Sequence, residues 1–184
     1  MILLRAPTPY PVNFEAVPSG NKYTLNADGT VNVLEADVRG LMAVGFVYAI
    51  DTYGTWTPTL KGSTTAGVNT YSIQSGYYVK IGKLVFANFN IALSSLGGTI
   101  AGNVQIGGLP VAAGSLAGAT PVAFTDEQNI TLEATYTQLL GQIAAGASVA
   151  GLYEFKTSGA SKALPVSQIS SSSVLSGTLI YLTA

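Results

Sequence analysis

Apolar and polar positions alternate from Val85 to Leu93, with Val85, Ala87, Phe89, Ile91 and Leu93 on one face and Phe86, Asn88 and Asn90 on the other. A period of two belongs to a β-strand with one face buried. So long a run predicts a strand near the centre of a sheet. Shorter β-prone runs recur to the C-terminus, at 71–74, 77–81, 104–106, 122–124, 130–136, 151–156 and 175–182. Turn residues punctuate them: Gly97-Gly98, Gly107-Gly108, Ser158-Gly159 and the serine run 170–173. Short strands between turns, with no helical period among them, predict an antiparallel β-sandwich or jelly-roll-like domain over residues 51–184. Two Ala- and Gly-rich stretches, 111–119 and 139–150, show no strong period and read as loops or short helical turns.

Upstream the pattern differs. Residues 1–19 are aperiodic and rich in proline, which predicts an extended N-terminal arm that orders only against another surface. In residues 20–50, Lys22-Tyr-Thr-Leu25 and Val31-Asn-Val-Leu34 flank Asp28-Gly29, a hairpin signal. Glu35 and Asp37 then suit the first turn of a short helix, where acidic groups favour the helix dipole. Val38, Leu41 and Met42 fall on one face of it, and Gly45 takes the left-handed position that ends it. Such a hairpin-helix module is too small to stand alone and must pack on something else.

Composition sharpens this picture. The 184 residues include 48% hydrophobic and only 9% charged ones, with no His and no Cys, where about a quarter charged is ordinary. With Lys+Arg 8 against Asp+Glu 9, the net charge of -1 offers no basic footprint for nucleic acid, and little repulsion between copies. The mean hydropathy of +0.40 raises the question of a membrane. The longest charge-free apolar stretch, 41–50, falls short of the roughly 20 residues a spanning helix needs, and 1–5 is too short for the apolar region of a signal sequence. No membrane insertion is expected.

The chemical repertoire is equally narrow. Without His or Cys there is no imidazole- or thiolate-based nucleophile and no such metal site. Asn26, Asp28 and Gly29 lack the spacing of a calcium loop. The glycines fit neither a phosphate loop nor a dinucleotide turn. Carboxylates remain: Asp126 and Glu127, adjacent on a strand, point to opposite faces, whereas Glu133 and Glu154 could meet across strands as the acid and base of a small polysaccharide hydrolase. No catalytic residue, cofactor or metal is expected, and the chain reads as non-enzymatic. Trp56, Tyr71, Tyr77 and Tyr78 stand in one aromatic-rich part of the sequence, near Tyr53. Exposed aromatic faces serve sugar or protein contacts, while core or interface packing is the commoner use of such residues.

The ordered text Gly54-Thr-Trp-Thr-Pro-Thr-Leu60, Tyr71-Ser-Ile-Gln-Ser-Gly-Tyr-Tyr-Val-Lys-Ile-Gly82, a strand through Ile91, and Gly102-Asn-Val-Gln-Ile-Gly-Gly-Leu-Pro110 resembles a β-rich module of tailed-bacteriophage virion proteins, fibres and decorating proteins alike. The stretch from Tyr23 to Phe46 is similar to a segment of small phage structural proteins. The resemblance implies a virion surface protein, assembled in the host cytoplasm, commonly a homotrimer and without enzymatic activity. Heptads and repeats are absent, which removes a long shaft. The expectation is a compact trimeric capsid decoration or head fibre. It would dock on phage capsid or tail proteins through its N-terminal part. The alternative is a tail-fibre tip that recognises host surface glycans through Trp56, Tyr71, Tyr77 or Tyr78.

Overall fold

The computed structural model describes residues 1–16, 19–49, 52–115 and 120–184, and it is mainly β with one short helix. The chain divides into two compact units, Met1–Thr52 with Lys80–Gly82, and Tyr53–Val79 with Lys83–Ala184. The boundary expected at 50/51 lies outside the described residues.

In the first unit β1 (Ile2–Arg5) lies between β4 (Thr30–Val33) and β5 (Val47–Tyr48), while β2 (Asn13–Glu15) pairs with β3 (Lys22–Thr24). The N-terminal stretch is thus extended, as strands paired within its own unit. Leu4 is 0% exposed and meets Val31, Val33, Val38, Leu41 and Phe46 in one core. Phe46 is flanked by Tyr10 and Phe14, with ring centroids 4.7 and 5.1 Å away.

The turn at Asp28-Gly29 forms as its residues predict. Asp28 Oδ1 accepts from the Thr30 N–H at 3.0 Å, and the Asn26 N–H donates to Thr30 O at 2.7 Å. The flanking strands nevertheless pair with β2 and β1 and not with each other, because Val31 and Val33 alternate into the core that holds Leu4. Helix α1 (Glu35–Ala43) follows. It ends in a Schellman motif: Gly45, at φ +97°, donates to Met42 O at 3.1 Å, and Phe46 to Leu41 O at 3.1 Å. Val38 and Leu41 face inward as expected, whereas Met42 is exposed and Asp37 takes the buried place.

Asp37 is buried because it is fully partnered. Its carboxylate has the Ser19 hydroxyl beside it and accepts from Tyr23 Oη at 2.5 Å and from Asn21 Nδ2 at 2.8 Å. These bonds hold its pKa below the ordinary 3.8. A pKa depressed on folding gives stability that is present above the unfolded value and lost as pH falls through the folded one. The first unit should therefore melt earlier at about pH 3 than at about pH 7, and Asp37→Asn should flatten that dependence in circular-dichroism melts.

The second unit contains β6 (Thr52–Trp56), β7 (Thr59–Gly62), β8 (Thr65–Ala66), β9 (Thr70–Ile81), β10 (Leu84–Ser95), β11 (Ile100–Ala101), β12 (Val104–Gly107), β13 (Thr120–Ile130), β14 (Gln138–Ile143), β15 (Ala150–Phe155), β16 (Lys162–Ala163) and β17 (Ile169–Leu182). Among the described residues ten of these form one sheet, in the order β6-β9-β10-β17-β13-β14-β15-β12-β7, with β16 beside β15 and the registers antiparallel. Its two ends, β6 and β7, are joined only by Thr57-Pro58, so the sheet has to curl until its edges meet. Gln74 Nε2 donates to Pro58 O at 2.9 Å and secures that corner. The curl encloses one core, to which β10 gives Val85, Ala87, Phe89, Ile91 and Leu93, β17 gives Leu175, Leu179 and Tyr181, and β12, β14 and β15 give Ile106, Ile143 and Leu152.

The mainly β, antiparallel class is as expected, realised as one large curled sheet; several element bounds are corrected. The runs 71–74 and 77–81 are one strand, β9. The run expected over 130–136 stops at Ile130 and turns, the Tyr136 N–H donating to Glu133 O at 3.0 Å. The stretch 139–150 is not a loop throughout, for it contains most of β14. The serine run 170–173 is strand, because buried Ser173 donates its hydroxyl to Asn129 O at 2.7 Å. The loop expected over 111–119 is irregular as far as Ser115, and 116–119 lie outside the described residues.

Candidate functional site

The four aromatic residues singled out in the sequence do not converge on one platform. Trp56 is buried: its Nε1 donates to Asn88 O at 2.9 Å, and its ring meets Phe89 edge-on at 6.5 Å. The indole lies over Gly76, where a Cβ would come within 2.4 Å of Trp56 Nε1. The Tyr71 hydroxyl accepts from the Leu60 N–H at 3.1 Å and donates to Leu60 O at 3.3 Å, and burial holds its pKa above the usual phenol value. Tyr78 is half-buried against the same core. Only Tyr77 stands out, 51% exposed, with its backbone N–H donating to Asn88 Oδ1 at 3.2 Å.

The two acidic residues with a conceivable catalytic pairing are brought together, but through a backbone amide and not carboxylate to carboxylate. Glu154 is 0% exposed, and its Oε2 accepts from the Glu133 N–H at 2.6 Å. The Glu133 carboxylate is ion-paired with Lys162, which stands opposite Glu154 in the β15–β16 register. That pairing raises the Lys162 pKa. A carboxylate sealed from solvent cannot touch a polysaccharide in this arrangement; what the cluster does is tie the turn after Ile130 to β15. Among the described residues no group of three or more acidic side chains could hold a metal ion, and no helix is long and apolar enough to cross a membrane.

The most distinctive surface is the outer face of the β10–β17 pair. Leu84 stands opposite Leu182 and Phe86 opposite Ile180, and all four are between 38% and 49% exposed. Further along the same two strands the pairs become Asn88–Thr178 and Asn90–Ser176, with Ser176 Oγ donating to Asn90 Oδ1 at 3.0 Å. The outer face is therefore divided into an apolar half and a hydrogen-bonded polar half. The sequence places Phe86 outward. It hides Ile180 and Leu182, because both parities of the run 175–182 carry apolar residues.

No protein-family model and no curated protein matches the chain. Among solved structures it is similar to the Dettilon tailspike protein, with a TM-score of 0.54 at 18% identity over 70% of this chain. The match covers 23% of the tailspike chain, so this chain corresponds to under a quarter of that protein. At that identity the likeness is one of fold.

Proposed function

We propose that this protein is a non-enzymatic structural component of a phage virion, a compact trimeric decoration protein or head fibre whose copies mate through the apolar half of the β10–β17 outer face and whose N-terminal unit docks on the particle. The observation that carries this reading is the block formed by Leu84, Phe86, Ile180 and Leu182. Together these side chains, each more than a third exposed and paired across adjacent strands, form one contiguous apolar block, the kind of surface that serves protein contacts. The low charge of the chain removes the usual electrostatic barrier to self-association. The fold shared with a phage tailspike supports a place on a virion.

Sedimentation velocity tests it. The natural chain should sediment as a trimer at micromolar concentration. The variant carrying Phe86→Asp and Ile180→Lys, opposite charges at a directly facing cross-strand pair, should sediment as a monomer while keeping its β-sheet circular-dichroism spectrum. A natural chain that stays monomeric at high micromolar concentration overturns the reading. Exposed Tyr77 favours a second reading, a tip that binds host glycans. A glycan-array signal lost on Tyr77→Ala would select that reading over decoration.

A further inference from the structure

Strand β13 is eleven residues long, yet it pairs with β14 only at Thr120–Ile143, Pro121–Gln142 and Val122–Gly141. From Ala123 onward the two strands part. β14 stays bound to β15, with Leu139 opposite Glu154, and β13 stays bound to β17, with Gln128 opposite Val174. The strands open a cleft of about 370 Å³ lined by Phe124, Leu139 and Leu140 together with Thr125, Asp126 and Glu127. We propose that this cleft is the acceptor site for an extended, lysine- or arginine-bearing peptide segment of another protein, which adds to β13 as a further strand.

Three observations carry it. First, β13 is held along one edge by β17, with bulges between Phe124 and Asp126 and between Gln128 and Ile130, while among the described residues its other edge, over residues 123–128, pairs with no strand, the condition in which an edge offers backbone donors and acceptors. Those six residues span roughly 20 Å, the length of an ordinary strand. Second, Phe124, Leu139 and Leu140 give the lining apolar side chains, as strand addition uses: main-chain bonds supply affinity, and pockets under alternate side chains supply selectivity. Third, the lining carries two carboxylates, Asp126 and Glu127, one from each face of the strand, that lack a counter-charge. Gln128 Nε2 donates to both Asp126 oxygens, at 3.2 and 3.1 Å, but among the described residues no cation pairs with Asp126 or Glu127. Burial, and then the neighbouring Asp126 charge, push the Glu127 carboxyl above its usual pKa, so an incoming cation relieves an existing penalty.

The same charges decide the occupant. Anionic sugars and nucleic acid are repelled, and a neutral sugar would leave both carboxylates without a counter-charge. A second copy pairing edge to edge would bring four carboxylates together, a device that blunts strand edges against self-addition. A basic strand from a different protein meets none of these obstacles. The proposal draws on the reading above only for who supplies that segment, such as a protein of the particle.

The test uses the full chain and two synthetic peptides of about nine residues, one alternating valine with lysine and the other valine with glutamate. The lysine peptide should bind in fluorescence anisotropy and slow amide hydrogen exchange at 123–128. Its Kd should weaken at least about tenfold in the variant carrying Asp126→Asn and Glu127→Gln, and again as salt rises from about 0.05 to about 0.5 M. The glutamate peptide should bind at least about tenfold more weakly than the lysine one. No binding of the lysine peptide at about 1 mM, binding unchanged in the neutralised variant, or binding without protection of 123–128 overturns the proposal. That variant leaves the β10–β17 face untouched, so sedimentation and peptide binding fail independently.

Discussion

Alanine at position 76 is expected to expel the chain's single tryptophan from its core. Gly76 stands in mid-strand, where glycine is ordinarily a weakness, and the space its missing side chain leaves is occupied by the Trp56 indole. A Cβ there would lie 2.4 Å from Nε1 and 2.7 Å from Cε2, closer than atoms can approach, and the clashing group is a rigid ring. Overpacking of this kind costs about 1–3 kcal/mol. Losing the hydrogen bond from Nε1 to Asn88 O adds about 1 kcal/mol. Gly76→Ala should therefore lower unfolding free energy by about 2–4 kcal/mol in denaturant titrations. Because there is one Trp in the chain, emission should shift to the red in the native baseline. Trp56→Ala should cost about 3–5 kcal/mol, whereas Tyr77→Ala, at an exposed site, should stay within about 0.5 kcal/mol. An unmoved emission maximum and an unchanged midpoint for Gly76→Ala would mean that the indole has room the structure does not show.

That pair of residues marks where the sequence is readable and where it is not. The strand through Val85 and Leu93 is legible because each inward position carries an apolar side chain. β14 follows the same rule but is masked: its inward positions are Leu139, Gly141 and Ile143, and Gly141 is small because the Val122 side chain fills the place of its Cβ, 2.7 Å away. Glycine that signals a turn and glycine that makes room for a neighbour look alike in one dimension. The serine run misleads in the same way, since the burial of Ser173 depends on an acceptor at Asn129, far away in sequence. Asp28-Gly29 announces its turn through local hydrogen bonds, yet which strand each arm joins is decided by the distant Leu4. For the surface, Phe86 could be placed outward from its own strand, but its partner Ile180 follows only from the register of β10 with β17. The cleft beside β13 has no local signal at all, because it arises where a pairing stops.

The other large effect concerns the N-terminal stretch. If residues 1–19 were an arm lying on a neighbour, deleting them would leave their unit folded. The structure gives the opposite expectation: deletion removes β1, the middle strand of its sheet, and with it Leu4, Tyr10 and Phe14 from the core around Phe46. Leu4→Ala alone should cost about 2–5 kcal/mol. The full deletion should abolish hydrogen-exchange protection across 20–49 while Trp56 emission and the exchange of β10 and β17 stay native. Protection of α1 surviving the deletion would show that the helix and β4 are held by something other than β1. The design of a docking experiment follows from this. Failure of the truncated chain to decorate a particle would report an unfolded unit and not a lost contact. The informative substitutions are at side chains outside the strands paired with β1, such as Met42 and Val44, both more than two-fifths exposed. Replacing these by Ser or Asp should leave the melting of the unit within about 0.5 kcal/mol per site and remove particle binding if docking uses that surface.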